Sequence, residues 1–309
     1  MGNWFKTTIL LGIMTALIVF IGSLLGGRQG MIIAFILAIC MNFFSYFYSD
    51  KIVLKMYRAS EVTPSENPQI YEIVSELAQM AQLPMPRIYI IPEDTPNAFA
   101  TGRNPDHAVV AVTRGLLNLM NRDEIMGVVS HEMAHIKNRD ILIGSIAATM
   151  AGAIMIVASM ARWTAIFGGG SDDDEGGLSG IGLIIMSILA PFAAMLVQMA
   201  ISRTREYNAD STGASFTGHP SGLANALEKL GAYSGRIPMQ TKSPNTAHMF
   251  IVNPLRGNNI ANLFSTHPPL QERVARLRGG HSSSDNRNSN EGDEQRGLRA
   301  ARDTWNRLS

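Results

Sequence analysis

The chain has 309 residues, of which 46% are hydrophobic and 17% charged, with a single cysteine and a formal net charge of +1. That balance excludes a polyelectrolyte, and with no basic cluster beyond residues flanking apolar segments the sequence gives no reason to invoke nucleic acid. Cys40 alone can form neither an intramolecular disulfide nor a thiolate metal site, which suits a reducing compartment.

The apolar residues are clustered, and clustering predicts a bilayer. Thr7 to Gly27 and Gly30 to Ser49 contain no charged side chain. Each is long enough as a helix to cross a hydrocarbon core of about 30 Å. Lys6 ahead of the first run resembles a signal peptide, but the run exceeds a typical h-region and a second follows Arg28, so residues 1–60 are expected to form a retained membrane hairpin.

Residues 61–140 read as a soluble layer. Ser65 to Ala81 has helical apolar spacing through Ile70, Ile73, Val74 and Leu77, and Pro84 and Pro86 end it. Arg87 to Ile91 and Ala108 to Thr113 are strand-like, and Ala98 to Thr101, bounded by Pro96 and Gly102, is a third short strand. A helix follows from about Arg122, with Asn121 as its cap, Asp123 and Glu124 in its first turn, and Ile125, Val128, Val129 and Ala134 at helical spacing.

That helix carries His131-Glu132-Met133-Ala134-His135. At i and i+4 the two imidazoles lie on one face, where both can reach a single Zn²⁺. Glu132 between them is placed to act as general base, taking a proton from the water that attacks a peptide carbonyl polarised by the metal.

Ile141 to Ala161 and Gly176 to Ser202 are also uncharged; richer in Gly, Ala and Ser, they are the less secure pair of a second hairpin over residues 141–202. Between them Gly168 to Gly177 is a flexible acidic loop. Lys51, Lys55, Arg58, Lys137, Arg139, Arg203 and Arg205 flank the spans on one side, against Arg28 and Arg162 on the other. The excess of cations places the termini and everything between the hairpins in the cytoplasm. Residues 203–280 read as helices and loops, and 281–309, rich in Ser, Asn, Asp and Arg, as a disordered tail.

A catalytic zinc site takes three protein ligands and keeps a position open, so a third ligand must come from downstream. Glu206 and Asp210 lie i and i+4 on an expected helix, so that one could bind the metal while the other accepts a hydrogen bond from a ligating imidazole. His219, His248 and His267 compete, and the plain alternative for the two carboxylates is a solvated face paired with Arg203 and Arg205. Spacing leaves the choice open.

HEMAHIKNRD at 131–140, SRTREYNAD at 202–210, PNAFATG at 96–102 and STHPPLQERVARL at 265–277 together resemble an HtpX-type membrane zinc metalloprotease, related to CAAX prenyl endopeptidases. The likeness spans nearly the whole chain except the tail. It implies an α+β, mostly helical, gluzincin-like zinc metalloprotease domain with four transmembrane helices in two hairpins. It also implies one Zn²⁺ per chain on His131, His135 and Glu206, with Glu132 as base and Asp210 behind a ligand.

In such proteases the substrate binds as an added strand, and Asn97, Ala98, Phe99 and Ala100 would supply the edge. His267, held by Pro268 and Pro269, is the expected donor to the oxyanion, with Arg273 assisting. The alternative for the prolines is a helix entry leading into Leu270, Val274 and Leu277. The short distance from His135 and Glu206 to the neighbouring spans puts the zinc within roughly 10 Å of the cytoplasmic surface. Substrates should then be membrane proteins or unfolded polypeptides, cut in cytoplasmic loops or near the bilayer. The expectation is an endopeptidase of the inner (plasma) membrane that removes misfolded or damaged proteins; processing of lipidated or specific substrates and a silent scaffold are the competing readings.

Overall fold

A computed structural model describes residues 3–152, 154, 203–233, 249–251 and 268–279. Helix α1 (Asn3–Met56) is one helical run that reverses on itself. The reversal falls at Gly27, whose φ of +54° is left-handed backbone that glycine adopts without a Cβ penalty. The two arms touch closely: a Cβ on Gly22 or Gly30 would collide with the opposite arm. Asn42 Nδ2 donates to Thr15 Oγ1 at 2.8 Å across 27 residues of sequence. An uninterrupted helix would hold those residues about 40 Å apart.

Among the described residues one helix, Gly27–Met56, is long and apolar enough to cross a membrane; Thr7–Ser23 and Ile141–Gly152 are apolar but shorter. Ile33, Ile36, Leu37, Ile39, Phe43 and Phe44 on the second arm are each more than half exposed, an apolar face left uncovered among the described residues. Of the four spans expected, Gly30 to Ser49 falls within that helix, and Ile141 to Ala161 is described only through Gly152 and residue 154. Gly176 to Ser202 and the acidic loop lie outside the described residues.

The soluble layer follows as β1 (Ser60–Glu61), α2 (Pro68–Ala81), β2 (Arg87–Ile91), β3 (Ala98–Gly102), β4 (Ala108–Thr113), α3 (Arg114–Leu119) and α4 (Arg122–Lys137). After α5 (Ile141–Gly152) come α6 (Arg203–Thr217), α7 (Ser221–Tyr233) and α8 (Leu270–Leu277). Helix α2 starts three residues later than the apolar spacing predicts, because the Asn67 side chain caps Ile70 N–H and Pro68 opens the first turn. The short β1 was not expected.

The sheet order is β1-β2-β4-β3, with β2 and β4 parallel and the other pairs antiparallel. Side chains alternate between two buried faces. Ala98, Ala100, Val110 and Val112 pack on α2, α4 and α7. Phe99, Val109 and Ala111 pack on Val53, Leu54 and Tyr57 at the end of α1, on Ala148 of α5 and on Phe250. Thr101 and Ser145 hydroxyls meet at 2.7 Å, joining β3 to α5. The first arm of α1 packs on α5 through Leu10, Met14, Leu17, Ile143 and Met150.

Helix α4 is the central strut. Asn121 and Glu124 complete a reciprocal capping box at its start. Glycines allow the later helices to approach it: a Cβ on Gly127 would run into the backbone of Leu223, and one on Gly213 would stand 2.9 Å from Ser130 backbone atoms. The second contact brings α6, with Glu206 and Asp210, against the face of α4 that carries His131.

Candidate active site

The helical spacing of α4 places His131 and His135 side by side, with Nε2 atoms 3.2 Å apart. Helix α6 delivers Glu206 opposite them, its carboxylate oxygens 3.7 Å from His131 Nε2 and 3.6 Å from His135 Nε2. A tetrahedral zinc with bonds near 2.0–2.2 Å separates its ligand atoms by about 3.3–3.6 Å. The three donors are therefore spaced and typed for such an ion, and among the described residues they form the one cluster able to hold a metal. His219 lies at the exposed end of α6, where its N–H bonds Thr217, away from this cluster. His248 and His267 lie outside the described residues.

Glu206 and Asp210 are buried at 6% and 5% exposure, so the solvated-face alternative does not describe them. Asp210 Oδ1 stands 2.9 Å from His131 Nδ1. Arg273 of α8, wholly buried, grips the same carboxylate through Nε at 2.8 Å and Nη2 at 2.7 Å. Its Nη1 lies 3.8 Å from Glu206 and also donates to Ile251 O. Expected beside an oxyanion, Arg273 here gives Nε and Nη2 to Asp210, a two-pronged pairing that a buried guanidinium needs. A charged residue on the apolar stripe of Leu270, Val274 and Leu277 was the signal for this in the sequence.

Asp140 is the residue that spacing did not single out. The chain leaves α4 through Arg139 at φ +57°, and that left-handed step turns Asp140 back under the helix. Its N–H donates to His135 O at 2.9 Å, and Oδ2 reaches to 3.2 Å from His135 Nδ1. Nothing in local periodicity forecasts a left-handed arginine.

Glu132 is buried at 2% exposure and accepts from Ala100 N–H of β3. Burial pushes its carboxyl above the ordinary value, against the pull of both imidazoles. Burial would lower the His135 imidazole, but Asp140, Glu206 and Glu132 outweigh it and raise the group to about 9. Burial would likewise raise Asp210, and Arg273 with His131 hold it down to about 2. Desolvation lowers the Arg205 guanidinium, against the charges of Asp140 and Glu206. Among the described residues, Arg205 and Arg273 are the guanidinium groups set against the carboxylates Glu132, Asp140, Glu206 and Asp210, and a divalent cation would add positive charge at the same place.

The candidate substrate edge is partly engaged. Asn97 O accepts from Thr113 N–H, and Phe99 packs into the core beneath the sheet. Of the groups on the outer side, Ala98 O accepts from Ile251 N–H at 3.2 Å and Ala100 N–H bonds Glu132. Phe250 anchors that segment edge-on between Tyr57 and Phe99.

Two histidines and a glutamate around one point, with a buried glutamate beside them, define a metallopeptidase of the HExxH class. Residues 64–280 match the model of peptidase family M48, and the chain belongs to that family. It is 64% identical over 94% of its length, and 94% of theirs, to a Protease HtpX homolog of Desulforapulum autotrophicum. To those of Desulfatibacillum aliphaticivorans and Thermococcus sibiricus it is 62% and 55% identical, over 92% and 90% of its length and 92% and 96% of theirs. The crystal structure of S. mikatae Ste24p is similar at a TM-score of 0.49 and 19% identity, over 89% of this chain and 65% of that one. The chain is a membrane-associated metallopeptidase.

Proposed function

We propose that the protein is a zinc-dependent endopeptidase of the inner (plasma) membrane that cuts misfolded or damaged membrane proteins on their cytoplasmic side. The observation that carries this reading is the convergence of His131, His135 and Glu206, with donor atoms 3.2 to 3.7 Å apart, next to the buried Glu132. These three would hold one Zn²⁺. When bound, the ion supplies Lewis-acid polarisation of the scissile carbonyl and of the attacking water.

Glu132 Oε takes the proton from that water, and its raised pKa suits it to pass the proton on to the leaving amine. Asp210 accepts from His131 Nδ1 and so turns Nε2 towards His135 and Glu206, where the ion would be held. An extended peptide lies along Asn97, Ala98, Phe99 and Ala100, and His267 donates to the oxyanion. The apolar hairpin of α1, joined to the sheet through Tyr57, holds the cleft near the bilayer, where membrane-protein segments are the nearest substrates.

The test is to measure zinc content and hydrolysis of an unfolded protein such as casein by the purified full-length chain, with and without chelator. Glu132→Gln should retain stoichiometric zinc while hydrolysis falls by about 10²- to 10⁴-fold. Activity near wild type in that variant would remove Glu132 from the chemistry, and a chain that binds no zinc would end the reading.

A further inference from the structure

Each imidazole of the site has a carboxylate behind it. His131 has Asp210, and Arg273 from α8 anchors that carboxylate. On the opposite side His135 Nδ1 meets Asp140 Oδ2 at 3.2 Å, and Asp140 is 9% exposed. Arg205, one residue before Glu206, acts electrostatically on both Asp140 and Glu206. It lines the same polar cleft as Asp140, with Asn138, Asn208, Ser211 and Thr212.

The way α4 ends makes this contact. A left-handed conformation costs a non-glycine residue about 1–2 kcal/mol. Arg139 adopts it at φ +57° at the one step that carries Asp140 from the end of α4 back to the imidazole one turn earlier. The same step ends the helix, with Arg139 N–H on Ile136 O and Asp140 N–H on His135 O, so that terminating α4 and placing Asp140 behind His135 are one event.

We propose that Asp140, steadied by the charge of Arg205, is the positioning residue of His135, the counterpart of Asp210 for His131. The inference rests on the metal reading above and extends it. Asp140 accepts from His135 Nδ1, so Nε2 is the nitrogen that would hold the ion, and the ring can no longer rotate about its χ2 axis without breaking that bond. With both rings held from behind, the two nitrogens keep their spacing before any metal arrives. The two arginines offset part of the carboxylates' charge, and the ion would offset more.

The test uses the full-length chain in detergent and competes zinc against a chromophoric chelator. Asp140→Ala should bind zinc about 10- to 100-fold more weakly than wild type. Asp140→Asn, which keeps an acceptor of the same shape, should recover part of that loss. Arg139→Val, unable to hold the left-handed turn cheaply, should weaken zinc in the same direction with the carboxylate still present.

At saturating Co²⁺ the visible absorption of Asp140→Ala should shift, reporting a reoriented imidazole, a signature that a general loss of packing would not produce in a protein of unchanged thermal stability. If Asp140→Ala does not fold, Asp140→Asn carries the comparison on the same two readouts. Zinc affinity within twofold of wild type, with an unaltered Co²⁺ spectrum, overturns the positioning role. Absence of zinc from the wild-type chain would instead overturn the metal reading itself, so the two failures are distinguishable.

Discussion

Asp210 is a buried carboxylate whose value to the fold can be separated from its value to a metal. It pairs with Arg273, which is wholly buried, so Asp210→Asn leaves a guanidinium without its two-pronged partner. The loss should be about 3 kcal/mol in the metal-free protein, because the orphaned charge stays desolvated. The sign of the pH dependence follows from a folded-state pKa of about 2, below the ordinary 3.8. The stabilisation is present in full above the unfolded value and disappears as pH falls through the folded one. Denaturant unfolding of both proteins without metal should therefore show a gap at neutral pH that closes as pH approaches 2. A gap of equal size throughout would assign it to something other than this carboxylate.

Among the helices, the decisive contact is α6 on α4. Gly213 lies two turns beyond Glu206 on the same helix, and a Cβ there stands 2.9 to 3.0 Å from Ser130 and His131 backbone atoms. Gly213→Ala should push α6 outward by a few tenths of an ångström and carry Glu206 with it. We expect about 1–3 kcal/mol of destabilisation from overpacking, together with weaker zinc binding although no ligand is altered; chelator competition checks it, and undiminished affinity would mean that the helices re-pack without moving Glu206. The edge of β3 makes a second prediction at this scale. Ile251 N–H holds Ala98 O, the group that an incoming strand would use. Ile251→Pro, which has no N–H to give, should lower KM for an extended peptide while kcat changes little. An unchanged KM would place the peptide away from Ala98.

For the whole molecule the open matter is orientation. Lys51, Lys55, Arg58, Lys137 and Arg139 lie on the side of the chain that carries His131, and Arg28 sits at the reversal of the α1 hairpin. The cation bias predicts a site that faces the cytoplasm. With Cys40, which is exposed on α1, replaced, a cysteine at Ser171 should react with an impermeant thiol reagent added to intact cells whose outer barrier is permeabilised, and one at Ser283 should not. The reverse pattern would turn the site outward and change the substrates with it. Labelling at neither position would make the second hairpin re-entrant and leave α1 as the main anchor.

What the sequence determined by itself is local and periodic. The i, i+4 histidines lie on one helix because that helix has 3.6 residues per turn, and Asn121 with Glu124 marks its start within a single residue of the observed bound. Short apolar runs set off by proline and glycine located β2, β3 and β4, since a strand buried on both faces reads as a continuous apolar run. The order in which those strands pair, with β4 inserted between β2 and β3, is not written in any periodicity and follows from where the faces find cover. Which downstream acid meets the imidazoles was equally out of reach. Glu206 and Asp210 share one helical face, and only the close crossing of α6 on α4 at Gly213 decides that the first stands between the two Nε2 atoms and the second behind His131. Arg273 and Asp140 arrive by the same logic, one from a helix far along the chain and the other through a left-handed turn, because buried charges must find partners and only the folded chain brings those partners within reach.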